Sequence, residues 1–303
     1  MPNLSVKLGR VNLKSPVIIA SGTFSEELLD FLNAKDLGAI TTKTITLKPY
    51  SGNPPKRTCE TPCGLLNSIG LENPGLEVFL KKNLPYFLKL KVPLIVSISS
   101  LKKPQELVVL TRELDKIKDI FAIELNISCP NLRKRYLISQ DSKATYQVVK
   151  KVRYATQKPL IVKLSPNVTD ITLIAKAAIK AGAEIISLIN TLMGMCVDIE
   201  NRRPRLSNLT GGLSGPAIKP VALRMVWEVY RCLKVPVIGM GGIIEAQDAI
   251  EFLLCGASAI GIGTANFINP KVSSEILAGI KEYLVKNKIN DINNLIGGLK
   301  DET

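Results

Sequence analysis

Short apolar runs recur along the chain, each bounded by Gly, Pro, Asn or Ser, which is the pattern of buried β-strands. The runs predict eight strands: Val17–Ala20, Ala39–Thr42, Leu94–Ser97, Ala122–Leu125, Leu160–Lys163, Ile185–Ile189, Val237–Gly239 and Ala259–Gly263. Stretches of helical length separate most of them, for example Ile171–Ala181, Ala217–Cys232 and Ala246–Cys255. Strands that alternate with helices indicate right-handed βαβ units and a parallel sheet. Eight repeats favour a closed (β/α)8 barrel over an open doubly wound sheet.

One segment interrupts the alternation of predicted strands and helices. Residues 44–75 follow the second predicted strand and are rich in Pro, Gly, Asn and Thr. Long loops inside compact domains are usually functional, so we expect this segment to be a lid or a substrate-binding loop. No shift in composition marks a second domain, and we therefore expect residues 1–303 to form a single barrel domain.

The chain of 303 residues contains no histidine. This absence excludes Ser-His-Asp catalysis, Cys-His catalysis and His-ligated zinc, so any acid–base chemistry must use Cys, Lys, Asp, Glu or Tyr. The six cysteines form no Cys-x-x-Cys motif, which argues against an iron–sulfur cluster or a zinc ribbon held by this chain. We expect no metal site.

Basic residues outnumber acidic ones by 40 to 26, which gives a formal net charge of +14. Such an excess favours anionic partners, although a solvated, lysine-rich surface is the commoner explanation of a sequence total. The amino terminus lacks the apolar core of a signal peptide, and no apolar run approaches the length of a membrane span. We expect a cytoplasmic protein with reduced thiols and no membrane contact.

The carboxyl ends of the predicted strands carry polar side chains, and this is the end of a (β/α)8 barrel where catalytic groups lie. In chain order they are Ser21, Lys43, Thr44, Ser97, Asn126, Lys163, Asn190, Thr191 and the glycine runs Gly239–Gly242 and Gly261–Gly263 with Thr264. The set has neither the carboxylate cluster of a hard-metal site nor the close carboxylate pair of a glycosidase. The two glycine runs occupy the loops in which barrels often bind phosphate through backbone amides, so we expect a phosphate there.

Lys43 and Lys163 each end an apolar strand, which predicts that they point into the barrel mouth. There they would offer fixed positive charges to anionic atoms of a cofactor and a substrate; the alternative is that their stems extend past the rim to solvent. The segment Asn126–Asn131 offers amides suited to a planar amide or imide. Within it, Cys129 lies on a loop among polar residues, where a tuned thiol can act as a base.

Several longer motifs carry a resemblance to one family. They are Ser21–Phe24, Lys43-Thr44, Gly52–Pro54, Leu66–Leu71, Asn73–Gly75, Asn126–Asn131, Lys163–Asn167, Ile189–Leu192, Gly211–Pro216 and the two glycine runs. They keep the family's order over roughly residues 17–265. Through them the chain resembles the flavin-dependent dihydroorotate dehydrogenases, and more closely the catalytic subunit of the NAD-linked class 1B type.

The resemblance implies a TIM barrel that holds FMN and oxidises dihydroorotate to orotate in pyrimidine biosynthesis. The residues that it implies for FMN are Ser21, Lys43, Thr44, Ser97, Asn126, Lys163, Ile189, Gly215, Gly241, Gly242, Gly263 and Thr264. Those implied for the pyrimidine are Lys43, Asn67, Ser68, Ile69, Gly70, Leu71, Asn126, Asn131, Asn190 and Thr191. Cys129 would be the base that removes the C5 proton, and Lys163 would stabilise the reduced flavin. The class 1B type further implies a homodimer and an iron–sulfur and FAD subunit that passes electrons to NAD.

The chain departs from the family pattern at three places. Leu132–Ile138 lacks the glycine that usually follows this cysteine, Ser-Glu-Glu follows Ser21–Phe24 in place of a glycine-rich continuation, and Ser97 stands where many relatives have Asn.

Two alternative functions stay open. One is a fumarate-using class 1A homodimer. The other is an FMN-dependent tRNA-dihydrouridine synthase, which the basic charge would suit, but the roughly 40 residues after the last strand are too few for a typical appended RNA-binding domain. We expect no nucleic acid partner.

Overall fold

The computed structural model describes residues 1–100, 103–128 and 138–300, and its centre is a closed barrel of eight parallel strands. The strands are β1 (Val17–Ile19), β2 (Ala39–Thr41), β3 (Leu94–Ile98), β4 (Ile120–Asn126), β5 (Leu160–Lys163), β6 (Ile185–Leu188), β7 (Val237–Met240) and β8 (Ala259–Ile262). Each strand pairs with its neighbours in chain order, and β8 pairs with β1 to close the barrel. The eight predicted strands and the (β/α)8 barrel are confirmed.

Helices cover the outside of the barrel. The longer ones span Pro104–Asp115, Ser142–Arg153, Ile171–Lys180, Lys219–Leu233, Ala246–Leu254 and Val272–Lys286. Shorter helical segments span Glu26–Asp30, Ala34–Asp36, Gly75–Val78, Phe79–Asn83, Leu84–Lys89, Ile138–Gln140, Pro216–Ile218, Ala265–Ile268 and Ile292–Leu295. The three helices predicted above are confirmed. No helix within the described ranges is long and apolar enough to cross a membrane.

Side-chain caps fix where several of these helices begin. Asp141 accepts hydrogen bonds from the first free backbone N–H groups of Ser142–Arg153, and Asp170 does the same for the helix that follows it. Before Ala246–Leu254, Glu245 and Asp248 form a reciprocal capping box. Each cap satisfies N–H groups that have no partner inside the helix. Loss of one such cap lowers the free energy of unfolding by about 1 kcal/mol.

The barrel strands are buried on both faces, which explains why they appear in the sequence as unbroken apolar runs. Every residue of β3, β5 and β7 is buried. The interior is not wholly apolar, because Ser97 on β3, Glu124 on β4 and Ser187 on β6 are each at most 2% exposed. These three polar groups lie below the carboxyl ends of the strands.

A second, antiparallel sheet stands beside the barrel mouth, and we call it the cap sheet. Its four strands are Leu192–Met195, Thr210–Ser214, Gly64–Asn67 and Thr58–Thr61, in that spatial order. Two smaller hairpins pair Val6–Leu8 with Val11–Leu13 and Val197–Asp198 with Arg203–Pro204. The segment 44–75, predicted as a lid or substrate loop, therefore contains a regular hairpin, and it pairs with a second hairpin that the sequence did not predict.

Candidate active site

A cavity of about 370 Å³ lies at the carboxyl ends of the barrel strands and is lined in part by residues of the cap sheet. Of the residues predicted to bind a cofactor, the cavity lining includes Ser21, Lys43, Thr44, Asn126, Lys163, Ile189, Gly215, Gly241, Gly242, Gly263 and Thr264. Of those predicted to bind a pyrimidine, it also includes Asn67, Ile69, Gly70, Leu71, Asn190 and Thr191. The barrel thus brings together residues that lie up to 243 positions apart in the chain, from Ser21 to Thr264.

Among the described residues, two predicted site residues do not line this cavity. Ser97 and Ser68 are both fully buried. Ser97 lies behind Thr44, whereas Ser68 accepts hydrogen bonds from the Asn53 side chain at 3.0 and 3.1 Å. Cys129 and Asn131 lie outside the described residues, as does most of the atypical loop that follows them.

Hydroxyl groups at the ends of β1, β2 and β3 form one connected network on the cavity floor. The Thr44 hydroxyl lies 3.2 Å from the Ser21 hydroxyl and 2.9 Å from that of Ser97. Ser21 also donates to the Thr42 carbonyl at 2.8 Å. The Asn126 side-chain nitrogen donates to the Thr44 oxygen at 3.1 Å. The network therefore holds the amide of Asn126, at the end of β4, against the neighbouring strand ends.

Two asparagine amides continue this wall of the cavity. The Asn126 oxygen accepts from the Ser128 backbone N–H at 3.3 Å and from the Ser128 hydroxyl at 3.2 Å. Asn190 donates to the Ser128 oxygen at 2.9 Å and, at 3.4 Å, to Asn126. Behind them, Asn167 donates to the Thr191 carbonyl at 3.2 Å. These bonds give the amides fixed orientations, which suits recognition of a planar ligand edge.

The cavity contains two lysines in different settings. Lys163 is only 7% exposed, and it lies beside Asn126 in the register of β4 with β5. Its ammonium group makes no hydrogen bond or ion pair within residues 1–100, 103–128 and 138–300. Lys43 is exposed at the mouth, where its Nζ and Cδ lie beside Gly22. Both lysines therefore face the cavity as predicted, but only Lys163 is buried there.

The lining is positively charged. Lys43 and Lys163 are its only ionisable side chains among the described residues, and no carboxylate joins them. A buried ammonium group without a counter-ion is costly, so the site favours a ligand that brings negative charge. A buried, unpartnered cation of this kind fits an anionic cofactor.

The loops after β7 and β8 form a corner of bare backbone. Gly242 has a φ of +80°, and a Cβ atom there would lie 2.8 Å from the Lys219 Cβ and 2.9 Å from the Gly215 carbonyl. Only glycine fits such a position without strain. At Gly263 an added Cβ would meet nothing nearer than the Ala20 Cβ at 3.9 Å, so this glycine borders open space. This corner has room for the phosphate that the sequence predicts.

A buried ion pair supports this corner from behind. One oxygen of Asp248 accepts from Lys219 at 2.6 Å, and the other accepts from the backbone N–H groups of Ile244 and Glu245 at 2.8 and 3.1 Å. The hydrogen bond to Asp248 raises the pKa of the Lys219 ammonium above its ordinary value. The loop after β7 is therefore tied to two helices, which fixes the glycines in place.

Sequence reasoning missed several residues of the cavity. They include Thr58, Leu65 and Ser214 from the cap sheet, Ile244 from the loop after β7 and Phe267 from the short helix after β8. The Ser214 hydroxyl donates to the Leu65 carbonyl at 3.2 Å and accepts from Thr264 at 2.7 Å. Its position inside the motif Gly211–Pro216 was the signal that could have identified it. No sequence pattern predicts that Thr58 and Leu65 lie in strands beside the cavity, because the hairpin that contains them has no apolar run.

The comparisons with known proteins agree with this geometry. A model of the family described as "Dihydroorotate dehydrogenase" matches residues 3–284. Two similar proteins, each described as the catalytic subunit of dihydroorotate dehydrogenase B (NAD(+)), come from Geotalea daltonii and Geobacter metallireducens. The first is 49% identical over 304 residues and the second 50% identical over 302, and each alignment covers 99% of both chains.

A solved structure shows the same fold. The crystal structure of DHODH from Eimeria tenella in complex with ferulenol aligns with a TM-score of 0.80, covering 98% of this chain and 89% of that one. At 22% sequence identity this likeness supports the barrel and its cap sheet rather than any detail of the site. From the family match, the near-complete alignments and the barrel, the chain belongs to the dihydroorotate dehydrogenase family, whose members are flavin-dependent oxidoreductases.

Proposed function

We propose that this chain oxidises dihydroorotate to orotate in pyrimidine biosynthesis, with FMN as its flavin. The observation that carries the proposal is the buried Lys163, whose ammonium has no partner among the described residues, in a cavity lined by two lysines and no described carboxylate. Both FMN and the substrate are anions, and each would supply the negative charge that this lining needs.

The residues present fit FMN at both ends of the molecule. The phosphate would lie against the backbone of Gly241, Gly242, Gly263 and Thr264, where Gly263 leaves open space. Ser21, Lys43, Thr44, Asn126, Lys163, Ile189 and Gly215 would hold the rest, with Ser97 supporting Thr44 from behind. The bound flavin supplies a hydride acceptor for the C6 hydrogen of the substrate. Lys163 supplies a fixed positive charge as negative charge develops beside it.

The amide wall would hold the pyrimidine. Asn67, Asn126, Asn190 and Thr191 offer paired donors and acceptors that match the ring's imide edges. Ile69, Gly70 and Leu71 would pack beside the ring, with Ser68 and Asn131 completing the predicted set. Lys43, at the exposed mouth, would pair with the substrate carboxylate.

Cys129 is the proposed base. It follows Ser128, whose hydroxyl is fixed by contacts with Asn126 and Asn190 at 3.2 and 2.9 Å. The thiolate would take the C5 proton of dihydroorotate as the C6 hydride leaves, so that one double bond forms in the ring. This assignment rests on the sequence motif, because the residue itself lies outside the described ranges.

A partner subunit completes the proposal. The similar proteins are named catalytic subunits of an NAD(+) enzyme, which favours an iron–sulfur and FAD subunit over fumarate as the route for electrons. Ile244 and Phe267 border the cavity and are 45% and 62% exposed, so the partner would have an apolar edge to contact beside the flavin. A homodimeric core and a cytoplasmic location belong to the same proposal. The family assignment leaves the tRNA-modifying alternative without support.

The visible spectrum of the purified chain tests the proposal directly. We expect flavin absorption bands that bleach when dihydroorotate is added without oxygen, and bound FMN on extraction. Reoxidation by NAD should then require the partner subunit, while fumarate should leave the reduced protein unchanged. A colourless protein, or flavin bands that dihydroorotate does not bleach, would overturn the assignment.

A further inference from the structure

A carboxylate lies below the cavity, where neither the sequence nor the proposed function gives it a role. Glu124 is two residues before Asn126 on β4, so both side chains point to the same face of the strand. It is 2% exposed and does not line the cavity. Its two oxygens accept hydrogen bonds from Ser97 at 2.9 Å and from Ser187 at 3.4 Å. A buried charge of this kind is normally retained only where hydrogen bonds stabilise it.

The carboxylate determines the direction of the hydrogen bonds above it. A carboxylate only accepts, so the single proton of the Ser97 hydroxyl points toward Glu124. The Ser97 oxygen, 2.9 Å from the Thr44 hydroxyl, must then accept the Thr44 proton. Thr44 consequently presents only lone pairs to Asn126 and Ser21, so the Ser21 proton is shared between the Thr42 carbonyl at 2.8 Å and the Thr44 oxygen at 3.2 Å.

This direction selects one orientation of the Asn126 amide. The Thr44 oxygen can accept only from the amide nitrogen of Asn126, which is 3.1 Å away. A flipped amide would place two acceptors against each other at that distance. The backbone N–H of Ser128 selects the same orientation from the opposite side, at 3.3 Å. The amide is therefore held at both ends, and its other N–H makes no hydrogen bond within the described ranges and faces the cavity that Asn126 lines.

We propose that Glu124 is a positioning residue, which acts through Ser97 and Thr44 to fix the Asn126 amide for binding of the pyrimidine. The identity of that ligand rests on the proposed function. The chain of contacts itself runs through described residues only, from the barrel interior to the cavity floor.

The test measures the affinity of the FMN-loaded protein for orotate by calorimetric titration. Ser97→Ala removes the link between Glu124 and Thr44, and we expect the orotate dissociation constant to rise about three- to tenfold, the typical value of one hydrogen bond. Glu124→Met, which keeps an unbranched stem but removes both acceptor oxygens, should shift it in the same direction. Ser187→Ala is the matched control, since it removes an equally buried hydroxyl from the same carboxylate but not from the path to Asn126. Its orotate affinity should stay within about twofold of wild type.

A double variant separates positioning from a general loosening of the core. Thr44→Val breaks the same path one link later, so adding Ser97→Ala to it should change the orotate affinity no further. Three results would each overturn the inference. They are equal weakening of orotate binding by Ser97→Ala and Ser187→Ala, unchanged orotate binding in Ser97→Ala, and a double variant that weakens orotate binding by the product of the two single effects. If the wild-type protein fails to bind orotate at all, the proposed function falls instead, which keeps the two failures distinct.

Discussion

Replacement of Lys163 by methionine is expected to change the apoprotein and the flavin complex in opposite directions. The lysine is 7% exposed, and within the described ranges no side chain or backbone group accepts from its ammonium. Methionine keeps the unbranched stem and removes the charge. The change therefore removes an unfavourable buried charge from the apoprotein and a favourable contact from the complex.

The two effects differ in size. Hydrogen bonds to charged groups contribute about 1.5–3 kcal/mol, so Lys163→Met should weaken flavin binding by about 10- to 150-fold. Relief of the unsatisfied charge should stabilise the apoprotein by about 1 kcal/mol or more, which corresponds to a rise in Tm of about 2 °C for a domain of this size. Lys43→Met is the matched control, because Lys43 lines the same cavity but is exposed. Its apoprotein should keep its Tm.

Two measurements check this prediction. Calorimetry of the apoprotein gives Tm, and titration of released flavin fluorescence gives the dissociation constant of FMN. Stopped-flow bleaching by dihydroorotate should also be slower in Lys163→Met. The reasoning is refuted if the variant keeps wild-type FMN affinity, or if its apoprotein has a lower Tm than wild type, because Lys163 would then be a partnered structural residue.

Three further predictions test other parts of the molecule. Cys129→Ser should retain FMN but reduce it slowly at neutral pH and faster at high pH, because a hydroxyl is a much weaker base than a thiol; stopped-flow rates near wild type would contradict the base assignment. Gly263→Ala should leave the free energy of unfolding of the apoprotein within about 0.5 kcal/mol, since the new Cβ meets nothing nearer than Ala20 at 3.9 Å, yet weaken FMN binding at least about tenfold; unchanged FMN affinity would remove the phosphate from this corner. Burial raises the pKa of Asp115, but hydrogen bonds from Thr156 and the backbone outweigh it and hold the pKa below its ordinary value. The stability that Asp115→Asn removes, measured by urea unfolding, should therefore be full at neutral pH and shrink as pH falls below about 4; a loss independent of pH would contradict this.

The barrel could be predicted because strands that are buried on both faces consist mainly of apolar residues, which are easy to recognise in the sequence. Each barrel strand is a mostly apolar run, and the carboxyl ends of such strands converge on one site by geometry alone. The cap sheet is not recognisable in this way. Thr58–Thr61 alternates between exposed and half-buried positions and contains no apolar run. Leu192–Met195, the strand at the opposite edge of the cap sheet, begins directly after predicted binding residues, where a loop is the simpler expectation.

The errors within the site have a related cause. The apolar run predicts that the strand ends at Ser97, but β3 continues to Ile98. Ser97 therefore lies one layer deeper, opposite Glu124 in the register of β3 with β4. The sequence does not indicate a role for Glu124, because this residue lies inside a run that is otherwise apolar. Strand register, which decides both cases, depends on pairing between distant segments and is weakly encoded in either strand alone.

The hydrogen-bond directions give the cavity a consistent chemical character. Because Glu124 orients the protons of Ser97 and Thr44 toward the barrel interior, the second N–H of Asn126 and the ammonium group of Lys163 add donors to a lining that also contains Lys43. A cavity rich in donors selects ligands rich in acceptors, since any donor left unpaired in a buried site costs about 1–3 kcal/mol. A phosphate, a flavin ring with its carbonyl edge and an orotate with its carboxylate all have this property. The buried carboxylate of Glu124 directs protons away from the cavity floor, and Lys163, which has no partner among the described residues, offers its positive charge to the ligand.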